Sequence, residues 1–190
     1  DPVKFPTFDD GLRAAMKRET ELFFEAVMKE DRSIFELIDS DFTYLNDRLA
    51  RHYGIDGVSG PEFRRVSLAK GSGRGGVLTH ASILTITSNP TRTSPVNRGK
   101  WILEEILGTP PPPPPPDVGE LEENEEAITS GTLRERLEKH RAKTECATCH
   151  SKMDPLGFAL ENFDGIGAWR DLDGNFPIDP SGELPTGETI

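Results

Sequence analysis

Leu12, Ala15, Met16, Phe23, Ala26 and Val27 recur at helical spacing among charged residues and predict an amphipathic helix over residues 9–30. Asp9 or Asp10 stands where a side-chain oxygen would cap its first turn and complement the helix dipole. A short second helix is expected over 33–39, carrying Ile34, Leu37 and Ile38. A third is expected over 41–52, with Tyr44, Leu45 and Leu49 on one face and Gly54 as its stop. The first third of the chain thus reads as a small helical bundle.

The apolar rhythm then changes. Val77 to Leu84 is a compact apolar run that fits helix or strand, and Ala81 and Leu84 favour helix. Ser94-Pro95 opens a helix with proline in its first turn, in which Val96, Ile102, Leu103, Ile106 and Leu107 would face the core before Gly108 ends it. A further helix is expected from Gly131 or Thr132 to about 144, with Leu133, Leu137 and His140 on one face. Between these two, Pro110 to Pro116 is unbroken. Such a run has no backbone donors and a fixed φ, so it predicts a polyproline II rod of about 3.1 Å per residue, roughly 20 Å in all. A spacer or surface strap is the commoner use of such a rod; a ligand for a proline-recognising domain is the other. The acidic stretch from Asp117 to Glu126 that follows reads as solvated chain.

Composition narrows the picture. Hydrophobic residues make up 34% of the 190, beside 18 glycines and 16 prolines, which suggests a loop-rich protein with a modest core that a cofactor would help to fill. A net charge of −11 argues against a broad phosphate-binding surface, so nucleic acid is a poor partner. No apolar run approaches bilayer length, and no secretory leader precedes Asp1-Pro2-Val3-Lys4. The chain reads as a piece of a longer protein, so that missing leader says nothing about compartment.

The candidate chemistry lies in Cys146-Ala147-Thr148-Cys149-His150, which holds both cysteines of the chain. Two thiols three residues apart can each add to a vinyl group of one porphyrin, and the next side chain then lies under the iron. One covalent haem c, with His150 as axial ligand, is the expectation. A zinc site would need two further ligands at suitable spacing, and a thioredoxin-type pair would need a βαβ setting; a simple disulfide or a chance match is the bland alternative. In many c-type cytochromes a proline soon after the histidine offers its carbonyl to the imidazole N–H, which makes Pro155 a candidate for that supporting role. Phe158, Leu160, Phe163 and Trp169 are candidates to pack on the ring, and each fits an ordinary core equally well.

The group opposite His150 is open at this level. His80 is the first choice, because it lies in the one basic stretch of the chain, where Arg92, Arg98 or Lys100 could pair with the anionic haem propionates. Its bland reading is a core histidine. His140 comes next, with a favourable place at a helix C-terminus as the alternative account. Met153 sits close to His150 in sequence; His52, Met16 and Met28 are outsiders, and no sixth ligand at all is a further case. A weaker motif, Asp171 to Asn175, resembles part of a calcium loop, but the downstream Glu is missing and a hairpin turn at Asp173-Gly174 accounts for it.

Three stretches together resemble the planctomycete-type cytochrome domains: Gly76–Leu84 with Thr91–Trp101, the proline run, and Cys146–Trp169 with its Asp154-Pro155-Leu156-Gly157-Phe158-Ala159-Leu160-Glu161-Asn162-Phe163-Asp164 string. The resemblance implies a haem domain inside a larger exported protein, periplasmic or otherwise extracytoplasmic, and brings no established reaction with it. The expected fold is mainly α: a helical c-type cytochrome-like haem domain over 61–175, with the polyproline strap at 110–116. The end of an adjoining helical domain would occupy 1–60, and the start of a following one 176–190. Electron transfer to a redox partner or to neighbouring domains is the leading expectation. A peroxidase-like or oxygen-using haem enzyme with an open distal side, or a haem-based sensor, stands beside it.

Overall fold

A computed structural model describes residues 1–113, 131–140 and 144–190, apart from a few side chains at the ends of the last two segments. The described chain is mainly helical, with two short antiparallel strand pairs. It divides into two compact units, residues 1–92 with 163–169, and residues 93–162 with 170–190. Compared with the domain bounds that the resemblance implies, 61–92 groups with the first helices, and 176–190 with the Cys-x-x-Cys-His segment.

In the first unit, helix α1 spans Asp10–Lys29 and is capped by the Asp9 carboxylate, which accepts from the Leu12 N–H at 2.7 Å. Its apolar stripe is buried as the periodicity requires: Leu12, Ala15 and Met16 pack with Leu45, Leu49, Ala50, Tyr53, Ala81 and Ile166, while Phe23, Ala26 and Val27 pack with Phe42. Ile34–Leu37 forms one 3-10 turn, shorter than the expected helix. The helix expected over 41–52 is instead strand β1 (Phe42–Leu45) followed by helix α2 (Asp47–Tyr53). Phe42, Thr43 and Tyr44 are strand-favouring residues, and Asn46 restarts the chain as a helix cap, accepting from the Leu49 N–H at 3.0 Å. What selects the strand is its partner β2 (Arg64–Ser67), paired in antiparallel register from Phe42–Ser67 to Leu45–Arg64. That pairing is non-local, so helical spacing alone could not show it. Gly54 ends α2 in the left-handed conformation, as expected. Val77–Thr79 is a 3-10 turn leading into helix α3 (Ala81–Ile86), in agreement with the helical reading of that run.

The second unit is built on the crossing of two helices. Helix α4 (Pro95–Trp101) has Ser94 as cap and continues into a π-helical turn over Ile102–Ile106. Ile102 and Leu103 are buried, but Leu107 is 55% exposed, because the wider turn rotates it off the core face. Helix α5 (Leu133–His140) starts with a reciprocal cap in which the Thr132 hydroxyl accepts from the Glu135 N–H and the Glu135 carboxylate accepts from the Thr132 N–H. Helix α6 (Thr144–Phe158) contains the whole Cys-x-x-Cys-His motif and runs on through Pro155. Strands β3 (Leu172–Asp173) and β4 (Phe176–Pro177) form the hairpin expected near Asp173-Gly174. Beyond it, Arg134 donates to the carbonyls of Asp179 and Ser181, which ties the C-terminal segment to α5. Residues 114–116 of the proline run and the acidic stretch after it lie outside the described residues.

Two glycines fix the α4–α6 crossing. A Cβ on Gly99 would lie 1.8 Å from the Met153 carbonyl oxygen, and one on Gly157 would lie 1.8 Å from that of Pro95. Each helix therefore offers a bare Cα to the other's backbone, and no rotamer change relieves a clash with a main-chain oxygen. Gly99→Ala and Gly157→Ala are each expected to destabilise the protein by roughly 1–3 kcal/mol or more. A denaturant titration should show a lower midpoint at unchanged slope; a wild-type midpoint in either variant contradicts this geometry.

Candidate functional site

Cys146, Cys149 and His150 share the N-terminal half of α6, because one helical turn separates the two thiols and His150 follows directly. Both cysteines are unpaired and half-buried, so the disulfide reading is not what this structure contains. The His150 side chain is 18% exposed, and its Nδ1 lies 2.9 Å from Oδ1 of Asp154, whose side chain is completely buried. Positions four apart stand over one another on a helix, so the pair follows from α6 continuing unbroken past Asp154. Among the described residues nothing hydrogen-bonds to His150 Nε2.

The group at His150 Nδ1 is thus the Asp154 carboxylate and not the Pro155 carbonyl. The reason lies in helix geometry. Carbonyls of a helix point toward its C-terminus, and the Pro155 carbonyl accepts from the Ala159 N–H at 3.2 Å, away from His150 one turn behind it. Met153 is buried on this same helix, three residues beyond His150. Phe158 is buried with Leu133, Leu137 and Val96, and the Arg134 guanidinium lies 4.0 Å from its ring centroid.

Arg98, expected to face a propionate, is engaged elsewhere. Its side chain is fully buried; Nη1 donates to the Leu160 carbonyl at 2.6 Å and to Glu161 at 3.3 Å. Glu161 also accepts from the Thr93 hydroxyl at 2.7 Å and from Arg170 at 3.1 Å, and Arg170 reaches Asp173 at 2.6 Å. Burial raises the Glu161 pKa while Arg98, the Thr93 hydroxyl and Arg170 oppose the rise. This cluster joins the residues flanking α4 to the end of α6. Single-residue reasoning missed it because Thr93, Glu161 and Arg170 are far apart in sequence.

The other expected site residues belong to the first unit. His80 is buried, with Nδ1 3.0 Å from the Thr20 hydroxyl and its ring edge-on to Phe23 at 4.9 Å. Among the described residues its buried Nε2 has no hydrogen-bond partner. Burial, with the positive charge of Arg74 added, pushes the His80 pKa down to about 3, so the ring is neutral. Beside it, Glu19 accepts from Tyr53 at 2.5 Å and from Thr43 at 2.7 Å, and Arg74 lies over the Tyr53 ring at 3.6 Å while donating to the carbonyls of Thr79 and Gly167. Trp169 is half-exposed and meets Phe163 edge-on at 5.2 Å; Phe163 is buried under Arg74. Arg92 is half-buried beside Asn89, and His52 is held on the Ile166 carbonyl at 2.8 Å. His140 is the last residue of α5, and its side chain lies outside the described residues. Among the described residues, no three His, Cys, Asp or Glu side chains gather to hold a free metal ion.

A family model described as a protein of unknown function (PSCyt3, DUF1588) matches residues 74–173, and a second one (PSD4, DUF1592) matches residues 1–55. The first span runs from Arg74 through the α4–α6 crossing and the Cys-x-x-Cys-His helix to the β3 strand. No curated protein and no solved structure matches the chain.

Glu19 gives this unit a pH signature. Burial raises its pKa from 4.5 to about 7, against the hydrogen bonds from Tyr53 and Thr43 and the charge of Arg74. A folded pKa above the unfolded value means that the folded state holds the extra proton. Glu19's contribution to stability is therefore complete below about pH 4.5 and is lost as pH rises toward 7. Glu19→Gln should remove that part of the stability-versus-pH slope in equilibrium unfolding. An unaltered slope in the variant would assign the dependence to other groups.

Proposed function

The chain belongs to the PSCyt3 family (DUF1588), and from that premise we propose that it is a cytochrome-c-type module: a covalent haem c held by Cys146 and Cys149, with His150 as axial ligand, serving electron transfer. The observation that carries this reading is the state of three side chains on α6. Two half-buried cysteines stand one turn apart, and the histidine after them has Nδ1 anchored on Asp154 while Nε2 has no hydrogen-bond partner among the described residues. A ligating histidine is held in this way, with its second nitrogen tied to a carboxylate or carbonyl that fixes tautomer and ring orientation. The donor set suits a porphyrin-bound iron. When bound, the haem supplies a one-electron couple; α6 supplies the thioether anchors, the orientation of the imidazole and a rigid base.

His80 is proposed as the sixth ligand on the sequence grounds given above; within its own unit it is a neutral imidazole with Nδ1 on Thr20 and a buried Nε2 that has no partner among the described residues. Met153 is set aside, because it shares a helix with His150 and would have to reach the opposite face of the ring. Two strong axial ligands keep an iron low-spin and closed to substrates, which favours electron transfer over a peroxidase-like site. Haem c attachment of this kind takes place outside the cytoplasm, so the working compartment is proposed to be the periplasm or its equivalent. Its partners are proposed to be a redox protein or neighbouring domains of the same polypeptide. No helix among the described residues is long and apolar enough to cross a membrane.

Two measurements test this. The exported protein should keep its haem through acid–acetone extraction, and a Cys146→Ala/Cys149→Ala variant should release it; unmodified protein that gives up its haem overturns the attachment. The ferric spectrum should be low-spin, and His80→Ala should convert it to high-spin with fast cyanide binding. An unchanged spectrum in that variant removes His80 from the iron, and a wild-type protein already high-spin favours an enzyme with an open distal side.

A further inference from the structure

His150 is anchored by a carboxylate, and this has an electronic consequence that a neutral carbonyl would not have. Resting on the attachment reading above, we propose that Asp154 is a positioning residue for the haem iron: it fixes the His150 tautomer with the proton on Nδ1 and makes the imidazole a stronger donor, so that ferric iron is favoured and the reduction potential is lowered. The geometry is specific. Oδ1 of Asp154 stands 2.9 Å from Nδ1, at the normal length for an N–H donor and an oxygen acceptor. Of the two ring nitrogens this is the one that leaves Nε2 to the metal.

Three features hold the carboxylate there. Asp154 is completely buried, so water does not compete for its oxygens. It lies on α6 four residues after His150, on the same helix face. The backbone on either side of it is also pinned, since the Met153 carbonyl bears on Gly99 and Gly157 bears on the Pro95 carbonyl. The pair therefore cannot relax by a shift of the helix. A hydrogen bond to an ionised acceptor is roughly twice as strong as one between neutral groups, and such a bond to a ligating imidazole raises its basicity. Added electron density on Nε2 stabilises the higher oxidation state of the iron, because the ferric ion carries one more positive charge.

The test uses the haem-loaded, exported protein and its Asp154→Asn variant, which keeps the side chain's shape and an acceptor oxygen but removes the charge. The expected result is retained covalent haem with a higher midpoint potential. A change on the order of tenfold in the ferric preference, typical for loss of such a partner, corresponds to about 59 mV for a one-electron couple. In the reduced low-spin protein, the His150 Nδ1 proton should resonate at the low field of a carboxylate-bound imidazole and move upfield in the variant. A merely structural role for Asp154 would lower stability and leave both readouts in place. Haem retained with unchanged potential and proton shift overturns the proposal while the attachment reading stands. Unmodified protein without covalent haem overturns the attachment reading, and this proposal with it. Should the variant fail to fold, the proton shift of the unmodified protein decides alone: an ordinary shift overturns the assignment.

Discussion

The contact on which the second unit depends is the approach of α4 to α6 through Gly99 and Gly157. Each glycine lies against a carbonyl oxygen of the other helix, so the two backbones meet at a distance that no side chain would permit. This fixes α6 along its second half, from Met153 to Gly157, and leaves its first half to carry Cys146, Cys149 and His150. The buried cluster of Thr93, Arg98, Glu161 and Arg170 then ties the ends of the crossing together. A buried ion pair is poor evidence of net stability, because removing charges from water costs about what their attraction returns. Its value here is specificity. Arg98 and Arg170 cannot leave Glu161 without burying an unpaired charge, so α4 and the end of α6 are held in one register.

That rigidity bears on the proposed chemistry. An electron-transfer haem needs ligands that do not rearrange between oxidation states, and an imidazole is steady only when its second nitrogen is held. On α6 the holder is Asp154, brought over His150 by the helix and kept there by the crossing behind it. The first unit shows a related arrangement around His80, whose Nδ1 is tied to Thr20 and whose charge is suppressed by burial and by Arg74. In both places a histidine is oriented by one nitrogen while the other is left without a partner among the described residues.

Much of this was legible in the sequence, for identifiable reasons. The α1 stripe, the Asp9 cap, the Gly54 stop and the helical reading of 77–84 depend on local spacing and local caps, and the structure has them all. Cys146, Cys149 and His150 could be singled out by their spacing alone, and the structure places all three on one helix. What failed depended on distant partners. Strand β1 needs β2, some twenty residues away, before Phe42 to Leu45 can prefer it to helix. Arg98 reads as a free cation until Glu161 is placed beside it. Pro155 was the candidate partner because a proline soon after the histidine offers its carbonyl in many c-type cytochromes; with α6 running on through it, the i, i+4 rule gives that place to Asp154. The signal for Asp154 was present as His150-x-x-x-Asp154, but only for a reader who already knew that the helix continues.

On the proposed function, Cys146 and Cys149 are thioether anchors for one porphyrin. The most direct test is mass spectrometry of the exported protein after digestion at its lysines, which excises Thr144 to Lys152 with both cysteines and His150 inside. This peptide is expected at its own mass plus one intact haem, with no free thiol left to alkylate. A peptide bearing two alkylated cysteines, or one cysteine joined to the other as a disulfide, contradicts it.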